Sequence, residues 1–463
     1  MQPSRREVLG SLSAGLIATS LRASVAEPVF RLATFVTEVT CPLGHPLMGG
    51  GIAPAKEIVD PLFVHGLVLL SEDKPVVLAA VDWCEIRNDA YEAWRQALAR
   101  AVKTTTERVL VTSVHQHDAP IADLEAQRLL DKHKATGRIC DLEFHEQTVA
   151  RVGRAAAACL DKAQPITHIG TGRAKVAEIA SNRRYVTADG KPHFGRTSAT
   201  RDATIRAYPE GTVDPWLKML SFWQGDKPLV AISAYATHPM SYYGKGGVSA
   251  DFVGLARRSF QAAHPGLVHL YVSGCSGNVT AGKYNDGAAD NRPVLARRLE
   301  QAMSAAWKAT RKQALTALSF RRVPLRLEPR NDARFTVAAL TERLKSDQRP
   351  IGQCLAALGL SWRKRADAGH KLDLPLLDLG GASFVLLPGE SYVEYQLAAQ
   401  RLRPDDFVMV AGYGECAPGY VPTEQAFKEH DTNLDDWCWV APGAEKAMHA
   451  ALKQVMQDPE SKP

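Results

Sequence analysis

Four times in the second half of the chain, an almost wholly apolar run of strand length, interrupted only by Ser233 and His269, gives way to a loop. Each loop carries glycine or proline and a chemically able side chain. Leu229–Ala236 runs into Thr237-His238-Pro239, and Val268–Val272 into SGCSGNVTAG, Ser273 to Gly282. Phe384–Leu387 runs into Pro388-Gly389-Glu390, and Phe407–Val410 into AGYGECAPGY, Ala411 to Tyr420. Strands with apolar residues on both faces are buried on both, so helices or further sheets must cover them. That demand points to an α/β fold. In open α/β sheets ligands sit beyond the strand ends, so strands that end together, each delivering one polar residue, would build a site.

The rest of the chain fits the same class. Strands are predicted over Leu62–Leu70, Val76–Val81 and Val109–Val114. Apolar spacing predicts helices over Glu92–Val102, Phe252–Ala263, Arg292–Ala309 and Tyr392–Leu402, and a helical region over Asp123–Asp161 broken near Thr136–Gly137. Residues 31–60 are rich in glycine and proline (CPLGHPLMGGG, Cys41 to Gly51) and read as a loop that lets backbone approach something closely. No internal repeat or low-complexity linker follows Ala26. The expectation is α/β, with central mixed β-sheets flanked by helices, in a single large domain over residues 27–463.

The N-terminus reads differently. Ser4-Arg5-Arg6-Glu7-Val8-Leu9 is a twin-arginine signature, a softened apolar stretch follows to Leu21, and Ser24-Val25-Ala26 ends it with small residues where a signal peptidase reads. Residues 1–26 are expected to be a twin-arginine signal peptide that directs export to the periplasm or beyond. The apolar stretch is too short to span a bilayer. The twin-arginine route carries folded proteins, often with a cofactor inside. The net charge of +6 is spread over both signs, and no basic run or zinc-finger spacing suggests nucleic acid. The 8 cysteines form no CxxC pair, which excludes zinc-ribbon chemistry.

The stretch VTSVHQHDAP, Val111 to Pro120, places His115 and His117 two residues apart at a strand end. On a straight strand their Cα atoms would be about 6.5–7 Å apart on one face. That is too far for comfortable co-ligation of one ion. The division that works is one ligand and one acid or base; the other reading is two polar residues closing a strand. His238 precedes a proline, in extended backbone. Glu390 is either a ligand or a carboxylate placed at a helix N-terminus by the dipole. Two histidines and a carboxylate around an open position match catalytic zinc, which acidifies a water toward pKa ~7 and polarises a carbonyl.

These segments, in this order, resemble those of the neutral/alkaline non-lysosomal ceramidase family in its N-terminal catalytic domain. VTSVHQHDAP is similar to the family's T-H-T-H-S-G-P block, and SNRR, Ser181 to Arg184, to its N-R segment. SAYATHPMSYYGKGGVSADFVG, Ser233 to Gly254, is similar to its strand, His-Pro and S-x-D-x-x-G, and SGCSGNVTAG to its G-D-V-S-P-N loop. PGESYVEYQLAAQRLR, Pro388 to Arg403, and AGYGECAPGYVPTEQAF, Ala411 to Phe427, are similar to its last two motifs.

The resemblance implies zinc held by His115, His238, Glu390 and Tyr420, with His117 beside the attacking water and Arg183 on the polar part of the substrate. It implies a zinc-dependent hydrolase that cleaves the amide bond of an N-acylated substrate, ceramide-like or another N-acyl amine, with Thr280 as a hydroxyl donor to the carbonyl. Asp251 is a candidate to orient a ligand histidine or to cap the helix before Phe252, and Gly49–Gly51, Gly244–Gly247, Tyr242 and Tyr243 to shape the pocket mouth. The sequence departs from the family at Asn278 (aspartate), Thr280 (serine), Ala281 (proline) and Phe427 (tyrosine). It is expected to be the catalytic domain without the family's C-terminal immunoglobulin-like domain. Three other readings stay open. One is an exported serine or threonine hydrolase using Ser276 or Thr280, although G-C-S-G-N lacks the G-x-S-x-G spacing. The others are a metal-dependent amidohydrolase barrel and a non-catalytic binding protein on the same fold.

Overall fold

A computed structural model describes residues 30–457; the twin-arginine segment lies outside the described residues. Three larger sheets dominate. The first runs Val109–Ser113, Val76–Val81, Phe63–Leu70, Phe30–Glu38, Gln164–Ile166 in spatial order. The second runs Val268–Ser273, Lys227–Tyr235, Trp216–Gln224, His168–Lys175, Arg311–Ala314. The third runs Ser319–Leu325, Leu372–Asp378, Ala382–Leu386, Phe407–Ala411. The sheets share a plan. Most neighbours are antiparallel, but one edge of each carries a parallel pair: Val76–Val81 with Val109–Ser113, Lys227–Tyr235 with Val268–Ser273, and Ala382–Leu386 with Phe407–Ala411.

Alternate residues face two cores, as the two-residue period of a strand requires. In the first sheet Leu67, Leu69, Leu78 and Leu110 enter one core together with Leu217, Ile232, Phe384 and Met409 from the other two sheets. Val64, Val68, Val77 and Val111 enter the other, against Trp94 and Leu98 of the helix Asn88–Val102 and Val149 and Val152 of the helix Leu142–Cys159. The apolar runs legible in the sequence are these doubly covered strands; every residue of Val76–Val81 is buried. The helices Asp251–Ala263 and Asn291–Lys308 add Phe260 and Leu299 to the first of these cores.

The predicted loop over residues 31–60 is corrected at its start. Phe30–Glu38 is a strand paired along its length with Phe63–Leu70. Its apolar alternation was masked by the glycines and prolines that begin only after it. Gly66 has a packing reason: a Cβ there would lie 2.0 Å from the Phe35 ring opposite. The helical region 123–161 does break, into Leu124–Lys132 and Leu142–Cys159. Each starts on an aspartate cap, Asp123 accepting from Ala126 N at 3.1 Å and Asp141 from Phe144 N at 2.9 Å. A buried fork locks the end of the strand Val76–Val81 to the helix Asp251–Ala263: Arg257 donates from both terminal nitrogens to Asp82 at 2.7 Å. Removing one partner of such a pair costs about 3–5 kcal/mol. Among the described residues no helix is long and apolar enough to cross a membrane, and all the cysteines are buried free thiols.

Candidate metal centre

The three parallel edge pairs end at one place. Ser113 N donates to Tyr413 O (3.0 Å), Gly412 N to Ser273 O (2.9 Å), and Ser273 Oγ to Val114 O (2.6 Å). Beyond this junction the first sheet delivers His115 and His117, the second His238, and the third Glu390 and Tyr420.

The histidine pair does not sit on a straight strand. Strand pairing stops at Ser113, and His115 takes φ 73°, a left-handed conformation that an L-residue adopts at a cost of about 1–3 kcal/mol. The turn brings the two rings to 5.2 Å, at 89° to one another, and sends His115 toward Glu390. Glu390 is not a helix cap: it forms a short parallel bridge with Tyr420, and the helix starts at Val393. Gly277 makes room for that bridge, since a Cβ there would lie 2.2 Å from Glu390 O.

At the centre, His238 Nε2 lies 2.9 Å and His115 Nε2 3.2 Å from the same oxygen, Oε2 of Glu390. Each imidazole donates its other nitrogen to a carbonyl: His115 Nδ1–H to Cys84 O at 2.8 Å, His238 Nδ1–H to Ser276 O at 2.6 Å. A carbonyl cannot donate, so these contacts place the ring proton on Nδ1 and leave Nε2 with its lone pair. Two lone pairs and a carboxylate oxygen therefore converge in a buried space, and His115 Nε2 has no hydrogen bond. Such crowding of acceptors is relieved by a cation, and carbonyl-anchored imidazoles are how metal-binding histidines are held. The residues present fit a divalent ion bound by two imidazoles and a carboxylate.

Burial works against a charge on His115, but Glu390 beside it outweighs burial and raises its pKa, a demand for positive charge that a proton or a divalent ion can meet. Burial, reinforced by Arg183, pushes His238 down to about 4, so it is a neutral donor at pH 7. Burial works against the Glu390 charge, but the imidazoles of His115 and His238 outweigh it and hold that carboxyl well below the usual carboxylate range. His117 is pushed well below its usual value by burial and by the two neighbouring imidazoles, and its Nδ1 has no partner.

A cavity of about 40 Å³ opens on this cluster, with His115, His117, Glu390 and Tyr420 on its wall. Met48, Ile121 and Trp437 make the apolar side, and Cys84 and Glu85 complete the lining. The phenol of Tyr420 accepts from Arg183 Nη1 at 2.7 Å. Burial opposes the Arg183 charge, but Tyr420 and Glu390 more than compensate and raise its pKa. Tyr243 meets His117 edge-on at 5.0 Å.

Two candidates are placed elsewhere. Thr280 is absent from the cavity wall; its hydroxyl donates to Thr197 O at 2.7 Å and accepts from Gly282 N at 3.1 Å. Asp251 accepts from the Ser241 backbone at 3.0 Å and from its hydroxyl, so it shapes the turn after His238 and touches no ligand histidine. Cys84, Glu85 and Tyr413 went unnoticed in the sequence. Cys84 and Glu85 follow Val76–Val81 in the same strand-then-polar arrangement that exposed His238 and Glu390. A second cluster, Glu92, His370 and Glu415, already holds a cation: Arg365 donates to Glu415 Oε1 at 2.7 Å and lies 2.9 Å from His370 Nε2.

No protein-family model and no curated protein sequence matches the chain. Solved structures do. Neutral ceramidase from Pseudomonas aeruginosa superposes with a TM-score of 0.67 at 15% identity, over 93% of this chain and 74% of that one. A ceramidase complexed with C2 superposes with a TM-score of 0.66 at 15% identity, over 93% of this chain and 75% of that one. The three sheets and their covering helices thus make up the neutral ceramidase fold.

Proposed function

We propose that the chain is a zinc-dependent hydrolase that cleaves the amide bond of N-acylated amines, ceramide-like lipids or other N-acyl amines among them. The observation that carries this is the meeting of His115 Nε2 and His238 Nε2 on one oxygen of Glu390 at the wall of a cavity. A divalent ion held there would polarise the amide carbonyl and acidify a water.

The chain's own groups do the rest. His117, with Nδ1 unpartnered beside His115, is placed to take a proton from the attacking water and return it to the leaving nitrogen. Arg183 holds the Tyr420 phenol, which faces the same cavity as a fourth ligand or as a donor to the developing oxyanion. Met48, Ile121 and Trp437 keep one side of the reacting group dry and suit an acyl chain. A serine or threonine nucleophile is disfavoured. Ser276 Oγ is bonded to the Tyr413 hydroxyl at 2.6 Å and Thr280 Oγ1 to Thr197 O, so neither hydroxyl is paired with an imidazole. We also propose that residues 1–26 export the protein by the twin-arginine route, to the periplasm or beyond.

The test is metal analysis of the purified protein, followed by hydrolysis of fluorogenic N-acyl amides by wild type and His115→Ala. About one zinc per chain and chelator-sensitive hydrolysis are expected, both lost in the variant. A folded His115→Ala protein that binds metal and hydrolyses at the wild-type rate would sink the proposal.

A further inference from the structure

We infer that Tyr413 is a positioning residue that sets the angle between the two imidazoles of the metal centre; this rests on the metal reading above. Its ring stacks on His115 at 4.2 Å and 19°, and meets His238 edge-on at 5.9 Å and 87°. Its hydroxyl bonds to Ser276 Oγ at 2.6 Å and lies 3.4 Å from His238 Nδ1. That nitrogen donates to the carbonyl of the same Ser276, so Tyr413 and Ser276 grip one imidazole from two sides.

The backbone of Tyr413 ties two of the ligand segments together, as its side chain reaches the third. Its N–H donates to Gly389 O at 3.1 Å, one residue before Glu390, and its carbonyl accepts from Ser113 N at 3.0 Å, two residues before His115. Tyr413 does this at φ 58°, between Gly412 and Gly414, in a conformation that glycine adopts freely and an L-residue does not. A fully buried tyrosine at a glycine-type position is explained by what its side chain does, and the side chain touches both histidines.

A core aromatic that only fills space would affect stability and leave the metal alone. The experiment therefore measures metal affinity by competition with a chelator, and the visible spectrum of the cobalt-substituted protein, in Tyr413→Phe, Tyr413→Leu and the control Phe222→Leu. Phe222 is buried beside Val230, at the start of the strand that ends before His238. Tyr413→Leu is expected to weaken binding by about 10–100-fold and to shift the cobalt bands. Tyr413→Phe keeps the stack and should lose less, and Phe222→Leu should bind as wild type. A folded Tyr413→Leu protein within twofold of wild type overturns the inference. If that variant does not fold, Tyr413→Phe within twofold and with unchanged bands overturns it. Should wild type itself bind no divalent ion, the metal reading is what fails, and the inference goes with it.

Discussion

The guanidinium of Arg183 donates from Nη1 to the phenolic oxygen of Tyr420 at 2.7 Å and lies 5.3 Å over that ring. The pair joins a loop in the first half of the chain to a strand near its end. It also gives Arg183 a partner within the chain. The resemblance implied a side chain waiting for the polar portion of a substrate; the structure shows Nη1 already committed to Tyr420, with Nε left unpartnered. We propose that Arg183 also acts on the cavity through Tyr420. Arg183→Met should lower kcat/KM by roughly 10–100-fold, the worth of a charge-assisted hydrogen bond of about 1.5–3 kcal/mol. Arg183→Lys should recover little, because the ring contact and the fork geometry go with the guanidinium. Steady-state kinetics on both variants check this; equal rates in all three proteins would refute it.

Removing the carboxylate tests the centre differently from removing an imidazole. Glu390→Gln keeps the shape but takes the charge from beside His115 and His238. Zinc at 100 times its Kd should raise wild-type stability by about 2.7 kcal/mol and Tm with it. The Glu390→Gln protein should show no zinc-dependent Tm shift at the same concentration. A variant that gains as much as wild type would show that the ion binds elsewhere.

Thr280 separates two accounts of one hydroxyl. As an oxyanion donor, its loss would cost about 10²–10³ in kcat. As a group bonded to Thr197 O and Gly282 N, its loss should be felt in the fold, about 1–3 kcal/mol. Thr280→Val should therefore lower the urea midpoint while kcat stays within about threefold. A large loss of kcat at unchanged stability would restore the role implied by the resemblance.

Acid should destabilise the fold through histidines remote from the centre. Burial, with Arg128 adding to it, lowers His145 to about 4 from the usual 6.5; burial, with Arg257, lowers His269 to about 3. Both are neutral when folded and take up a proton more readily when unfolded. Their contribution is complete above pH 6.5 and is lost as the pH falls from there toward 4 for His145 and toward 3 for His269. For His145 alone the full loss is roughly 3 kcal/mol. Urea midpoints at pH 7.5 and 5.5 should fall in wild type and fall less in His145→Gln. Identical slopes in the two proteins would dismiss His145 as a source.

The proposed export would rest on Arg5 and Arg6. Replacing both with lysine should keep the protein in the cytoplasmic fraction of a bacterium that has a twin-arginine system, while wild type is recovered outside it. Equal fractionation would remove the proposal without touching the chemistry.

What the sequence disclosed follows from how strands end. His238 and Glu390 stood out because each follows a run buried on both faces. The same habit at Val76–Val81 pointed to Cys84 and Glu85, and went unread because no histidine drew attention to it. Phe30–Glu38 was hidden by the glycine-rich loop after it. Thr280 shows the limit of a motif: it tells which residue stands in a loop, while the direction of its hydroxyl is decided by Thr197, 83 positions away. Tyr413 could not be found at all, since its importance lies in a backbone turn and a ring contact that no local pattern encodes.

One donor comes from each of the three sheets: His115 from the first, His238 from the second, Glu390 from the third. A partly assembled chain with any sheet undocked lacks a complete set of donors. If the proposed ion binds there, its capture would report that all three sheets have docked, and a chain exported by the proposed route would leave the cytoplasm with its inspection already passed.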